Sequence, residues 1–106
     1  MANLEELKQK NKKIVQRFER LEPKRWSIEG ATMELATEVG DLTELVLRKE
    51  YFKQNIYDDI DYQIQDELAD ILFVLLRIAD YYDIDLDKGY LEMERLISDR
   101  LRSRGV

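Results

Sequence analysis

The residues of this chain whose placement asks for chemistry are acids. Glu38 falls among Ala31, Leu35, Leu42 and Leu45, whose spacing of three and four makes one apolar stripe on a helix. Glu67 interrupts a second such stripe, Ile60, Ile64, Ile71, Val74 and Ile78. Glu34 and Asp41 border the first stripe, and Asp70 and Arg77 border the second. An ordinary amphipathic helix would carry an aliphatic residue at positions 38 and 67. Acids three residues apart are neighbours on a helix surface, so Glu38 with Asp41 and Glu67 with Asp70 form two adjacent pairs. Antiparallel packing of the two stripes would bring the pairs together.

Four carboxylates in a half-buried site repel one another and lose hydration, and a divalent cation offsets both costs. The chain has no histidine and no cysteine, which removes thiol nucleophiles, zinc–thiolate sites, imidazole acid–base chemistry and the Glu-x-x-His pairs of di-iron bundles. Oxygen-only ligation suits a hard cation, Mg²⁺ with Mn²⁺ as a substitute. The expected ligands are Glu38, Asp41, Glu67 and Asp70, with Glu34 a further ligand or a group that steadies them. Taken singly, such an acid is more often a solvated helix-face residue or half of an ion pair than a metal ligand. Two pairs in register favour the metal.

The elements that hold these acids read as helices throughout, because apolar residues recur at spacings of three and four and only one proline and four glycines punctuate the sequence. A first helix with Leu4, Leu7, Ile14 and Phe18 on one face ends before Pro23. Ser27 is the expected N-cap of a second helix running to about Glu50, and Asp58 or Asp59 that of a third running to Tyr82. Tyr51 to Tyr57 connects them. Asp85 opens a fourth helix with Leu86, Tyr90, Met93, Ile97 and Leu101, ending near Gly105. The expected fold is therefore all-α, a four-helix bundle. Ile71 to Leu76 is apolar on every side, so the third helix should be central. Leu72, Phe73 and Leu76 project opposite Glu67, which predicts a homo-oligomer, a dimer at least, that covers them.

With 106 residues, 44% of them apolar, the chain suits a single domain spanning 1–106. A formal charge of −6 argues against duplex nucleic acid as a partner. No segment has the length and apolarity of a membrane span and the first residues carry no leader pattern, so a soluble, cytoplasmic protein is expected.

The paired motif Glu38-Val39-Gly40-Asp41-Leu42 and Glu67-Leu68-Ala69-Asp70-Ile71-Leu72 resembles the ExxE…ExxD pattern of the all-α nucleotide pyrophosphohydrolases, the group of MazG-like proteins, dCTP pyrophosphatases and dimeric dUTPases. The resemblance runs from about Trp26 to Ile97. It implies an oligomeric four-helix bundle that holds Mg²⁺ on Glu38, Asp41, Glu67 and Asp70 and splits a nucleoside triphosphate between its α and β phosphates. Asp41 stands where the family more often has Glu. The end of the fourth helix reads Leu96-Ile97-Ser98-Asp99-Arg100, where many members carry a Lys and an Asn.

Within that reading Glu38 is the expected general base, because apolar neighbours would raise its pKa. Lys24, Arg25 and Arg77 are candidates for the phosphates, with Arg77 pairing to Asp80 as the competing use. Trp26 is a candidate platform for the base, against core packing. Two other functions compete: a non-catalytic helical assembly or adaptor domain, and a pyrophosphohydrolase acting on a phosphoribosyl-nucleotide.

Overall fold

The computed structural model of the protein describes residues 3–51 and 59–106. Four helices follow one another, α1 (Leu4–Leu21), α2 (Ile28–Tyr51), α3 (Ile60–Tyr81) and α4 (Leu86–Ser103), with no strand among the described residues. The fold is all-α. Tyr51 belongs to α2, and the remainder of the expected 51–57 connector, like Asp58, lies outside the described residues.

Three of the four helices begin where a short polar side chain satisfies free N–H groups. Asn3 Oδ1 accepts from Glu6 N at 2.8 Å, and the Asp87 carboxylate accepts from Leu4 N at 3.2 Å and Glu5 N at 3.0 Å. Ser27 Oγ accepts from Gly30 N at 3.1 Å and Asp85 Oδ1 from Lys88 N at 3.1 Å, as their positions predicted. Asp59 occupies the N-cap position of α3, but its carboxylate accepts from the Gln63 side chain and not from the backbone.

The helix ends are equally regular. After α3, Ile84 N donates to Ala79 O and Asp83 N to Asp80 O, with Asp83 in the left-handed region at φ 53°. The same pair of bonds closes α4, from Val106 N to Leu101 O and Gly105 N to Arg102 O, with glycine in the left-handed position.

Helices α2 and α3 form an antiparallel hairpin. The Lys49–Asp61 ion pair joins the end of α2 to the start of α3, while Ile28, Met33 and Tyr82 line one shallow cavity at the opposite end. Helix α1 covers the other side of α3, where Val15, Val74, Leu76 and Ala79 are buried and the Asn11 amide donates to Phe73 O at 3.0 Å. Burying one such aliphatic side chain contributes about 1.5–3 kcal/mol, so an acid at position 74 would undo the α1–α3 contact.

This arrangement corrects the expectation for Phe73 and Leu76, which do not form an outward patch; Leu72 is half-buried, and Leu75 of the same helix is exposed. Leu76 is 4% exposed, and Phe73 meets the rings of Phe18 at 6.5 Å and Trp26 at 5.5 Å edge-on. The chain's own α1 and the loop after it cover the face that was expected to need a partner. Helix α4 packs differently. It touches the start of α1 and has no buried residue. The radius of gyration, 17.1 Å, exceeds the ~13 Å of a compact domain of this length.

Candidate metal centre

Helix α2 supplies Glu38 and helix α3 supplies Glu67 and Asp70. Each offers a carboxylate oxygen, and the three oxygens lie within 4.8 Å of one another. Glu38 and Glu67 are half-buried and Asp70 is exposed, so the cluster opens to solvent on the Asp70 side. Its inner end carries a defect. Glu67 Oε1 is buried without a hydrogen-bond partner, and a buried carboxylate oxygen left in that state costs on the order of 1–3 kcal/mol. Ionised carboxylates have no donor to share, so a proton or a cation must sit between them.

The protonation behaviour follows from the same crowding. Hydrogen bonding with Glu67, then burial, then the approach of Glu34 push the Glu38 carboxyl up to about 8. Burial, followed by the charges of Asp66, Glu67 and Glu34, raises Asp70 above the usual carboxylate range. Without a cation, the cluster retains a proton where isolated acids would have lost theirs.

Asp41 stands apart from this set. It is exposed and lies outside the group of mutually close oxygens, one turn beyond Glu38 on α2. Glu34, one turn before Glu38, comes nearer than its offset from the stripe suggested. It is half-buried, faces Glu38, and pairs with Arg25 at 3.3 Å. Arg25 also reaches Glu22 at 3.6 Å.

Beside the acids is a cavity of about 230 Å³ lined by Phe18, Arg25, Trp26, Glu34, Glu38, Asp70, Phe73 and Val74. One wall is aromatic and the other acidic, with Arg25 as the basic group between them. Trp26 is core: 7% exposed, stacked on Phe18 at 4.9 Å, with its Nε1 unpartnered. Its carbonyl accepts from Arg77 Nη2 at 3.1 Å, and the Arg77 guanidinium lies 5.5 Å from the centre of the Tyr81 ring. Arg77 is therefore neither a lining residue of the cavity nor a partner of Asp80. Two turns from Asp70 is about 10 Å along a helix, and from there the side chain braces the loop that carries Trp26. Lys24 is exposed and is not among the residues that line this cavity; its carbonyl accepts from Ser27 Oγ.

That loop is held by a feature with no chemistry of its own. A Cβ on Gly30 would lie 2.3 Å from Arg25 O and 2.7 Å from Lys24 O. The first turn of α2 thus accepts the loop backbone only because position 30 has no side chain. A glycine one turn inside a helix start was the available sign. Gly30→Ala should force the loop outward, destabilise the fold by about 1–3 kcal/mol, and red-shift the emission of the single tryptophan. Urea melts followed by fluorescence and by circular dichroism check both effects.

No protein-family model and no curated protein matches this chain, so the functional reading rests on the geometry of the site and the motif that forms it.

Proposed function

We propose that the protein is a Mg²⁺-dependent nucleotide pyrophosphohydrolase of the MazG-like kind, which converts a nucleoside triphosphate to its monophosphate and pyrophosphate. The observation that carries this reading is the orphaned, buried Glu67 oxygen in a cluster with Glu38 and Asp70 beside a cavity of mixed lining. The donor set is all oxygen and open on one side, which fits a hard cation that keeps waters and shares its shell with phosphate. Glu38, Glu67 and Asp70 would hold it, with Asp41 reaching in through water. Bound there, Mg²⁺ would neutralise phosphate charge and lower the pKa of a water.

The remaining work falls to the protein. Glu38, the α2 carboxylate of the cluster, is the group that would accept a proton from water. Arg25 lines the cavity and can leave its ion pair with exposed Glu22 for a phosphate at modest cost. Lys24, its neighbour in sequence, is exposed. Phe18, Trp26 and Phe73 offer an apolar wall for the flat base. Since Phe18 already covers one face of the indole, the wall acts as a unit and Trp26 is not a free-standing platform.

The test is hydrolysis of nucleoside triphosphates with and without Mg²⁺ in ¹⁸O-labelled water, followed by mass spectrometry. Label in the monophosphate, with intact pyrophosphate and no early orthophosphate, is the expected result. A diphosphate plus orthophosphate would overturn the reaction class, and absence of turnover with any triphosphate would leave an assembly domain as the better description.

A further inference from the structure

The cavity beside the acids has a neighbour. Arg25 and Glu34 line both that cavity, of about 230 Å³, and a second, shallower one of about 410 Å³ whose other lining residues are Lys24, Gly30, Met33 and Thr37. The Arg25–Glu34 ion pair, at 3.3 Å, is therefore a wall with a cavity on each face. A site that encloses most of a ligand of nucleotide size typically has about 300–1,000 Å³. The first cavity alone is too small for a triphosphate.

The two sides differ in charge. On the first, Glu34, Glu38 and Asp70 outnumber Arg25, which suits a cation. On the second, Lys24 and Arg25 outnumber Glu34, which suits an anion. The wall between them is weakly held: the Arg25 side chain is 53% exposed and its other contact, to Glu22, is 3.6 Å long, and exposed pairs of this kind contribute little. A phosphate offers the same guanidinium two parallel, charge-assisted hydrogen bonds. The loop backbone cannot follow the side chain, because the Lys24 and Arg25 carbonyls are seated against Gly30. Exchange of Glu34 for phosphate is thus a side-chain rotation about a fixed anchor. Thr37, whose hydroxyl holds Met33 O at only 3.4 Å, is free to turn its proton to the same anion.

Resting on the hydrolase reading above, we propose that the second cavity is the subsite for the two outer phosphates of the substrate, and that Glu34 closes it until phosphate displaces its carboxylate from Arg25. Lys24 and Arg25 then hold the part of the substrate that leaves as pyrophosphate. Triphosphates are preferred over mono- and diphosphates, whose shorter tails do not fill the subsite.

Inorganic pyrophosphate is the probe, with orthophosphate beside it, each titrated by calorimetry into the whole chain in EDTA. Pyrophosphate should bind at least roughly tenfold more tightly than orthophosphate, and Lys24→Met should weaken it by about the same factor, the worth of one hydrogen bond to a charged group. Glu34→Gln should strengthen it to a similar degree. That gain should vanish in an Arg25→Met background, because Glu34 acts by occupying Arg25, whereas a bare loss of negative charge would persist there. Circular dichroism confirms that each variant is folded. Absence of pyrophosphate binding, equal affinity for the two anions, no effect of Lys24→Met, or a Glu34→Gln gain that survives Arg25→Met would each overturn the proposal. Such a failure beside Mg²⁺-dependent turnover would leave the hydrolase standing; the expected titrations without turnover would strike the hydrolase and leave an anion site.

Discussion

Glu67→Gln is expected to abolish turnover without lowering the melting temperature of the metal-free protein. The oxygen at stake is buried, has no partner, and faces two other carboxylates. Removing groups that merely orient metal ligands typically costs about 10–100-fold in affinity or activity, and loss of the innermost ligand should exceed that. Stability moves the other way because the amide cancels a charge that only a cation compensates and can donate to Glu38. The melting temperature gained on adding Mg²⁺ should vanish as well, since a ligand present at 100 times its dissociation constant stabilises by about 2.7 kcal/mol. Activity and melts in EDTA and in excess Mg²⁺, run on one preparation, give all three values. An active variant that melts much lower in EDTA would make Glu67 a structural group.

The second large effect is on pH. In EDTA the melting temperature should fall as pH rises from about 5 to above 8, the reverse of a domain whose acids sit in ion pairs. Glu38 is pushed up to about 8 in the folded protein from its ordinary value of 4.5. Between those limits the native state holds a proton that the unfolded chain has released, so each rise in pH favours unfolding. The stabilising contribution is complete below 4.5 and is lost as pH passes through 8; Asp70, raised in the same direction, adds to the slope. Saturating Mg²⁺ should flatten the profile because the cation takes the proton's place. Glu38→Gln should flatten it in EDTA. A profile that rose across this range would contradict the crowding of Glu38 with Glu67.

What the sequence revealed, and what it did not, divides along the range of the interactions. Helix limits set by local rules were legible: Pro23 after α1, Ser27 and Asp85 as caps, Gly105 in its left-handed position. So was the anomaly of Glu38 and Glu67 inside apolar stripes, because periodicity reports which face a residue occupies. Periodicity does not report which neighbour covers that face. Phe73 and Leu76 read as part of an outward seam with Leu72, although Phe73 lies against Phe18 of α1 and Trp26 and Leu76 is buried. Arg77, on the right border of its helix, turns to a loop carbonyl rather than the cavity. Asp41 shares the border of Glu38's stripe, yet a shorter side chain one turn on leaves it outside the cluster. The contact of Gly30 with the backbone of Lys24 and Arg25 depends on how the loop folds back, and no pattern in the sequence encodes that path.

The start of α1 is fastened to the α3–α4 junction by polar contacts. Lys8 Nζ donates to Ile84 O at 3.2 Å, and the Asp87 carboxylate receives the Leu4 and Glu5 amides. These bonds join residues 76 to 83 positions apart along the chain, whereas the α2–α3 hairpin is local. Closing a loop of that length has its entropic cost before any contact rewards it. The hairpin with its acid cluster should therefore assemble early, with the α1–α4 junction fastened last. In the reverse direction, that junction is the first to open, so α4 can swing free while the metal-binding helices remain folded.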